Sequence, residues 1–291
     1  MPSAGTPTAS IRKACSATSH RYRALLPDSL RIAYLPSSVR TLQRGKSSIM
    51  RLIGHFRDRL LGDRGSWSQF GEDAYLRSYL RSLNWTPRGG FSPIERGFYV
   101  DVGCYHPVSL SNTRWLYLQG WRGINIDPSP GVKACFDRWR PRDINLQLAI
   151  ANDAGTVTFW TDSGDSSVFN TTSETYAREM LARGVVRDLV PITVPCAKLS
   201  SVLESYVPNG IPVDLMTVDA EGNDLRVLQS NDWRRFRPRI LLVEAHANGI
   251  SELCDSEAVG FMRMQGYEVH AWLRPTAMLV PREAAGVRPI A

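Results

Sequence analysis

Phe98-Tyr99-Val100-Asp101-Val102-Gly103-Cys104-Tyr105-His106-Pro107 is the stretch that decides the fold. It opens as a near-continuous apolar run and stops at a glycine, with a proline four residues on. That pattern predicts a strand buried on both faces, ended by a turn. Outward from it the pattern repeats. Residues 123–127 predict a second strand stopped by Pro128, and 145–150 a third. Shorter strands are predicted over 156–161 and 192–195. Longer ones follow over 213–219 and 240–244, and 267–272 with 277–280 form a closing hairpin. Helical spacing fills the gaps, over 68–83 (Ser68 as cap; Leu76, Tyr79, Leu80 and Leu83 as stripe), 109–119, 129–139, 199–206, 223–229 and 251–265. Buried strands alternating with amphipathic helices imply an α/β fold, with a doubly wound, mostly parallel sheet covered on both faces.

The 291 residues are 43% hydrophobic and 22% charged, which excludes collagen, coiled coil and wholesale disorder. No apolar run reaches the roughly 18 residues of a transmembrane segment. The net charge of +7 is unevenly spread. Residues 1–65 carry 12 Lys+Arg against 3 Asp+Glu, and residues 66–291 carry 23 against 25. The basic balance therefore belongs to the first 65 residues, and the 66–291 domain is not expected to bind nucleic acid. The 1–65 segment is Arg-rich, Ser-rich and acid-poor, as an organellar transit peptide is. A disordered extension, or a start codon placed upstream of Met50, fits the same composition. Residues 50–61 are a candidate basic helix. The five cysteines are odd in number, far apart and free of any CxxC. Isolated thiols suit a reducing compartment, so the expected location is cytoplasmic, or organellar if the tail is a transit peptide. Nothing sets an oligomeric state.

Doubly wound sheets bind ligands at the carboxyl ends of their strands, so the polar residues there carry the chemistry. Gly103 ends the first strand, where a bare backbone admits a ligand closely. Asp127 ends the second, where a carboxylate accepts both hydroxyls of a ribose. A turn glycine and a helix-capping aspartate would look the same. A dinucleotide fold needs GxGxxG to seat a pyrophosphate. Here Gly103 stands alone, and Tyr105 and His106 would crowd a pyrophosphate. A nucleoside ligand without phosphate fits better, and S-adenosyl-L-methionine is the common one. The NAD(P)-dependent oxidoreductase is the first alternative, and a non-catalytic binding module on the same fold the second.

Several strings resemble the FkbM family of S-adenosylmethionine-dependent methyltransferases. They are Ser68-Gln69-Phe70-Gly71-Glu72-Asp73, Tyr99 to Pro107, Ser111-Asn112-Thr113, Gly120 to Pro128, and Val218-Asp219-Ala220-Glu221-Gly222. The resemblance spans about residues 67–281. It implies a Rossmann-like methyltransferase fold, seven strands with the last antiparallel, and methyl transfer to oxygen on a sugar, glycan or other small-molecule acceptor. Many members carry a further glycine where this chain has Tyr105-His106-Pro107. Carried onto this chain, Asp101, Gly103, Cys104 and Tyr105 should border the methionine part of the cofactor. Asp127 and Pro128 should lie at the ribose, and Ala149, between Leu148 and Ile150, near adenine. Gln69 and Glu72 close over the same pocket or simply cap their helix.

For catalysis, the fourth long strand ends Asp219-Ala220-Glu221 and the fifth Glu244-Ala245-His246. Alternate residues on an extended end point the same way. Asp219, Glu221 and His246 are therefore the candidate catalytic residues, with His246 closest to neutral titration. Hydrogen bonding of Asp219 and Glu221 to loop backbone is the plain alternative. No resident metal is assigned, although carboxylates with a histidine also form a donor set for a divalent ion. His106, a histidine before proline, reads as a turn residue.

Overall fold

The computed structural model describes residues 65–83, 85–86, 90–91, 96–162 and 168–285. The candidate helix over 50–61 and the basic extension before Gly65 lie outside them. From Ser66 on, the chain forms one compact unit.

Helix α1 (Glu72–Leu83) leads, and a small hairpin (Trp85–Thr86, Gly90–Phe91) follows. Then come β1 (Phe98–Val102), α2 (Arg114–Leu118), β2 (Arg122–Ile126), α3 (Val132–Trp139) and β3 (Ile144–Leu146). Next are β4 (Ala149–Ile150), β5 (Gly155–Thr161), α4 (Glu174–Ala182), β6 (Val190–Ala197) and α5 (Leu199–Tyr206). The chain continues through β7 (Leu215–Val218), α6 (Asp224–Gln229), β8 (Ile240–Glu244), α7 (Ile250–Asp255) and α8 (Glu257–Met264). It closes with β9 (Tyr267–Leu273), β10 (Thr276–Pro281) and the short helix α9 (Arg282–Ala285).

Seven strands form one sheet in the order β9-β10-β8-β7-β1-β2-β3. Parallel pairing joins β8, β7, β1, β2 and β3. β10 runs antiparallel to both β8 and β9, so the last strand is antiparallel, second from the edge. This is the Rossmann-like methyltransferase arrangement expected. Chain order reverses at β1: β2 and β3 lie on one side, β7 and β8 on the other. The switch point is therefore the seam between β1 and β7.

Period-two alternation divides the sheet into two cores. Phe98, Val100 and Val102 share a face with Met216, Val218, Leu241 and Val243, under Leu203 of α5, Leu228 of α6 and Met262 of α8. Tyr99 and Leu215 face the other way, under Leu76 and Leu80 of α1 and Trp115 and Leu116 of α2. A second sheet, β4-β6-β5, packs Ala149, Phe159 and Val194 together.

Several elements differ from expectation for local reasons. The third strand, expected over 145–150, is divided. Leu146 pairs with Ile126, the last residue of β2. Beyond it the large sheet offers no partner, and Ala149–Ile150 pairs with β6. The helix expected over 109–119 is only Arg114–Leu118. Leu110 has φ 53, outside the helical region, and the side chains of 111–113 bond elsewhere in the fold. The helix expected from Ser129 begins at Val132, because Gly131 is left-handed. The helix over 251–265 breaks at Ser256, which is extended. Ser68 does cap α1, accepting from Asp73 N at 3.1 Å, although the helix itself starts at Glu72. Among the described residues no helix is long and apolar enough to cross a membrane.

Candidate active site

A cleft of about 810 Å³, open mouth included, lies at the carboxyl ends of β1, β2, β4 and β7. Gly103, Tyr105, Asp127, Pro128, Ser129 and Ala149 line one side of it, and Asp219 and Glu221 the other. Gln69, from the segment before α1, also reaches it.

The floor is the seam between β1 and β7. Gly103 has φ 76, and a Cβ there would sit 1.7 Å from the Asp219 carbonyl oxygen. The glycine expected to admit a ligand is thus required first by the chain's own backbone. Gly103 N donates to Ile126 O at 2.9 Å, which locks the seam to β2.

Asp127 is buried and organises two loops. Its Oδ2 accepts from Tyr105 N at 2.9 Å, and its Oδ1 from Ser129 N at 2.8 Å. Burial pushes its pKa up, and the hydrogen bonds from Ser129 and Tyr105 pull against that. The Ser129 side chain bonds the same carboxylate, so of its roughly four acceptor sites one remains for a ligand. Tyr105 is left-handed, with φ 50. The following turn is held by His106, whose Nδ1 accepts from Val108 N and Ser109 N at 3.1 and 2.9 Å. Burial, then the charges of Arg140 and Arg114, lower the His106 pKa to about 4. His106 is therefore a neutral turn residue.

Next to Asp127 the wall is apolar: Leu148, Ile150, Phe159 and Val168. Opposite, β7 ends in a tight turn with Glu221 at φ 48 and Gly222 at φ 86. A Cβ on Gly222 would meet the Tyr176 side chain at 3.1 Å. The glycine lets Tyr176 pack over the turn, where its hydroxyl donates to Glu221 Oε2. Thr171 Oγ1 donates to the Glu221 carbonyl at 2.6 Å.

Asp219 Oδ1 is buried without a hydrogen-bond partner, and so is Glu244 Oε2. Asp224 Oδ1 accepts from Ala220 N at 2.8 Å. One ligand oxygen from each of Asp219, Asp224 and Glu244 lies within 4.8 Å of the other two. Burial first, and repulsion from Glu244 second, push the Asp219 carboxyl well up, Glu221 to about 8 and Asp224 to about 7.

Not every residue singled out from the sequence reaches the cleft. His246 is outside its lining, with a side chain 69% exposed and Nε2 3.2 Å from Glu244 Oε1. That bond raises its pKa, against the effect of burial. Glu72 accepts from Phe70 N at 2.8 Å and Thr276 Oγ1 at 3.0 Å, so it fastens the start of α1 to β10. Asp101 falls on the Tyr99 face by strand alternation and accepts from Thr113 Oγ1. Beside it, the wholly buried Arg140 donates to Thr113 Oγ1, Ser111 Oγ and Pro107 O. Burial raises Asp101 to about 6, with Thr113 and Arg140 opposing. Cys104 is buried behind the loop, its thiol pushed well up by desolvation.

Asn170, Thr171, Thr172, Tyr176, Asp224 and Arg140 were absent from the sequence-based set. All but Asp224 reach their places through long-range packing that leaves no local pattern. Asp224 had a signal, since it follows Asp219 across one short turn, but it read as the start of a helix.

These features define a doubly wound α/β protein with a ligand cleft at its switch point and no glycine-rich phosphate loop. Residues 101–274 match the Methyltransferase FkbM domain, and the chain belongs to that family. It is also similar to a crystal structure of methyltransferase FkbM from Methylobacillus flagellatus KT, with 10% identity and a TM-score of 0.36. That match covers 80% of this chain and 60% of the other, so this chain spans less than two thirds of its length. No curated protein matches the chain.

Proposed function

We propose that the chain is an S-adenosylmethionine-dependent O-methyltransferase acting on a hydroxyl of a sugar, glycan or other small molecule. The observation that carries this reading is Asp127, a buried carboxylate with acceptor capacity left toward the cleft, beside an apolar wall at the switch point. That donor set fits a nucleoside: carboxylate for ribose hydroxyls, Leu148, Ile150 and Phe159 for a base. Family membership supports methyl transfer. The loop Tyr105-His106-Pro107, knotted by the His106 bonds, offers no glycine-lined seat for a pyrophosphate.

When bound, the cofactor supplies a methyl group activated by a sulfonium. The protein's part is positioning and proton removal. Asp127, Gly103 and Ala149 hold the nucleoside side, and Gln69 covers it. Glu221, steadied by Tyr176 and Thr171, takes the hydroxyl proton at its carboxylate. Asp219 lines the same side of the cleft as Glu221. His246 acts through Glu244, to which it is bonded outside the cleft lining. Incubation with methyl-labelled S-adenosylmethionine and a panel of sugars, small-molecule alcohols, amines and thiols tests the transfer. Label in an ether product supports it; label only in amine or thiol acceptors refutes the oxygen assignment.

A further inference from the structure

Asp219, Asp224 and Glu244 come from the ends of two adjacent strands and the start of the helix between them. Three carboxylates converge there, among the described residues, without a lysine or arginine paired to any of them. Two of their oxygens, Asp219 Oδ1 and Glu244 Oε2, are buried and accept nothing. The Glu244 side chain is nine-tenths buried. A buried acceptor with no donor is costly, and a buried charge more so. The geometry suits one shared occupant. Two oxygens on an ion at 2.3–2.6 Å lie at most about 5 Å apart, and these lie within 4.8 Å.

We propose that Asp219, Asp224 and Glu244 form a site for one hard divalent cation of the Mg²⁺, Mn²⁺ or Ca²⁺ class. The donors are all oxygen, which disfavours soft metals. His246 sits on the exposed side of Glu244 and orients that carboxylate at 3.2 Å. Asp219 also lines the cleft, so a cation held here would border the space left for the acceptor. Its role in drawing an acceptor hydroxyl toward the cofactor rests on the methyl-transfer reading; the binding site does not.

The test uses the full chain, stripped with chelator and titrated with Mn²⁺. Bound ion is read by electron paramagnetic resonance, and Mg²⁺ and Ca²⁺ serve as competitors. One Mn²⁺ per chain is expected, with affinity falling about 10–100-fold or more in Asp219→Asn and Glu244→Gln. The exposed Glu179→Gln should bind as wild type. Mn²⁺ should also raise the melting temperature of wild type but not of the two variants. If Glu244→Gln fails to fold, Asp224→Asn takes its place. A folded wild type that binds no Mn²⁺ at about 1 mM overturns the proposal. So does binding that the variants leave unchanged, since protons must then neutralise the cluster. S-adenosylhomocysteine is titrated in parallel. Mn²⁺ bound with the nucleoside refused leaves the cation site standing and refutes the methyl-transfer reading alone.

Discussion

Replacing Gly103 by alanine tests the seam on which the cleft is built. The new Cβ would lie 1.7 Å from the Asp219 carbonyl oxygen and 2.8 Å from its carbon. Backbone occupies that position, so no side-chain rotation relieves the overlap. β1 and β7 must part by more than an ångström, or the turn after β1 must rebuild. Overpacking of this kind costs about 1–3 kcal/mol. The left-handed φ of 76 adds about 1 kcal/mol for a residue with a Cβ. Together the loss is about 2–4 kcal/mol, which a typical domain survives. At roughly 2–4 °C per kcal/mol for this size, the melting temperature falls by about 4–16 °C. Differential scanning calorimetry reads that shift, and near-ultraviolet circular dichroism confirms native packing at 20 °C. Because the same seam floors the cleft, S-adenosylhomocysteine affinity falls with it. A variant that melts within a degree of wild type would refute the claim that β1 and β7 meet closely here.

Asp127→Ala removes the carboxylate that faces the proposed ribose, and S-adenosylhomocysteine binding should weaken by about 1.5–3 kcal/mol, read by calorimetry; unchanged affinity in a folded variant removes the ribose assignment. Glu221→Gln should leave that affinity within about threefold while turnover falls by roughly 10²–10⁴, and full turnover on an identified acceptor would make Glu221 structural. His106 has a folded-state pKa of about 4 against 6.5 unfolded, so between those values the unfolded chain binds the proton. Stability is then complete above pH 6.5 and is lost as pH falls, by about 2 kcal/mol at pH 5. His106→Asn, which keeps an acceptor without the proton, should flatten the urea-midpoint profile over that range, and an equal slope in both proteins would reject the neutral-turn role.

The strands were legible because burial on both faces writes itself as apolar runs: every residue of β1, β7 and β10 is buried. What escaped was set by partners far away in sequence. Nothing in Asn145 to Ile150 marks the change of sheet at Leu146, since it follows from where β2 ends. The shortness of α2 depends on Asn112 reaching Thr217 and Thr113 reaching Asp101. In the cleft, Gly103 and Asp127 could be found because strand ends are where such folds place ligands. Asp101 was misplaced because alternation along β1 turns it toward Tyr99 and the buried Arg140, away from the opening. Tyr176 and Thr171 arrive across about fifty residues to hold Glu221, and no spacing rule connects them.

The most direct measurement is isothermal titration of the folded protein with S-adenosylmethionine, S-adenosylhomocysteine and NAD(H) under one set of conditions. Both sulfur nucleosides should bind one per chain, more weakly in Asp127→Ala, and NAD(H) should give no heat. NAD(H) binding at the Asp127-dependent site, or failure of both sulfur nucleosides to bind, would contradict a methyltransferase cleft.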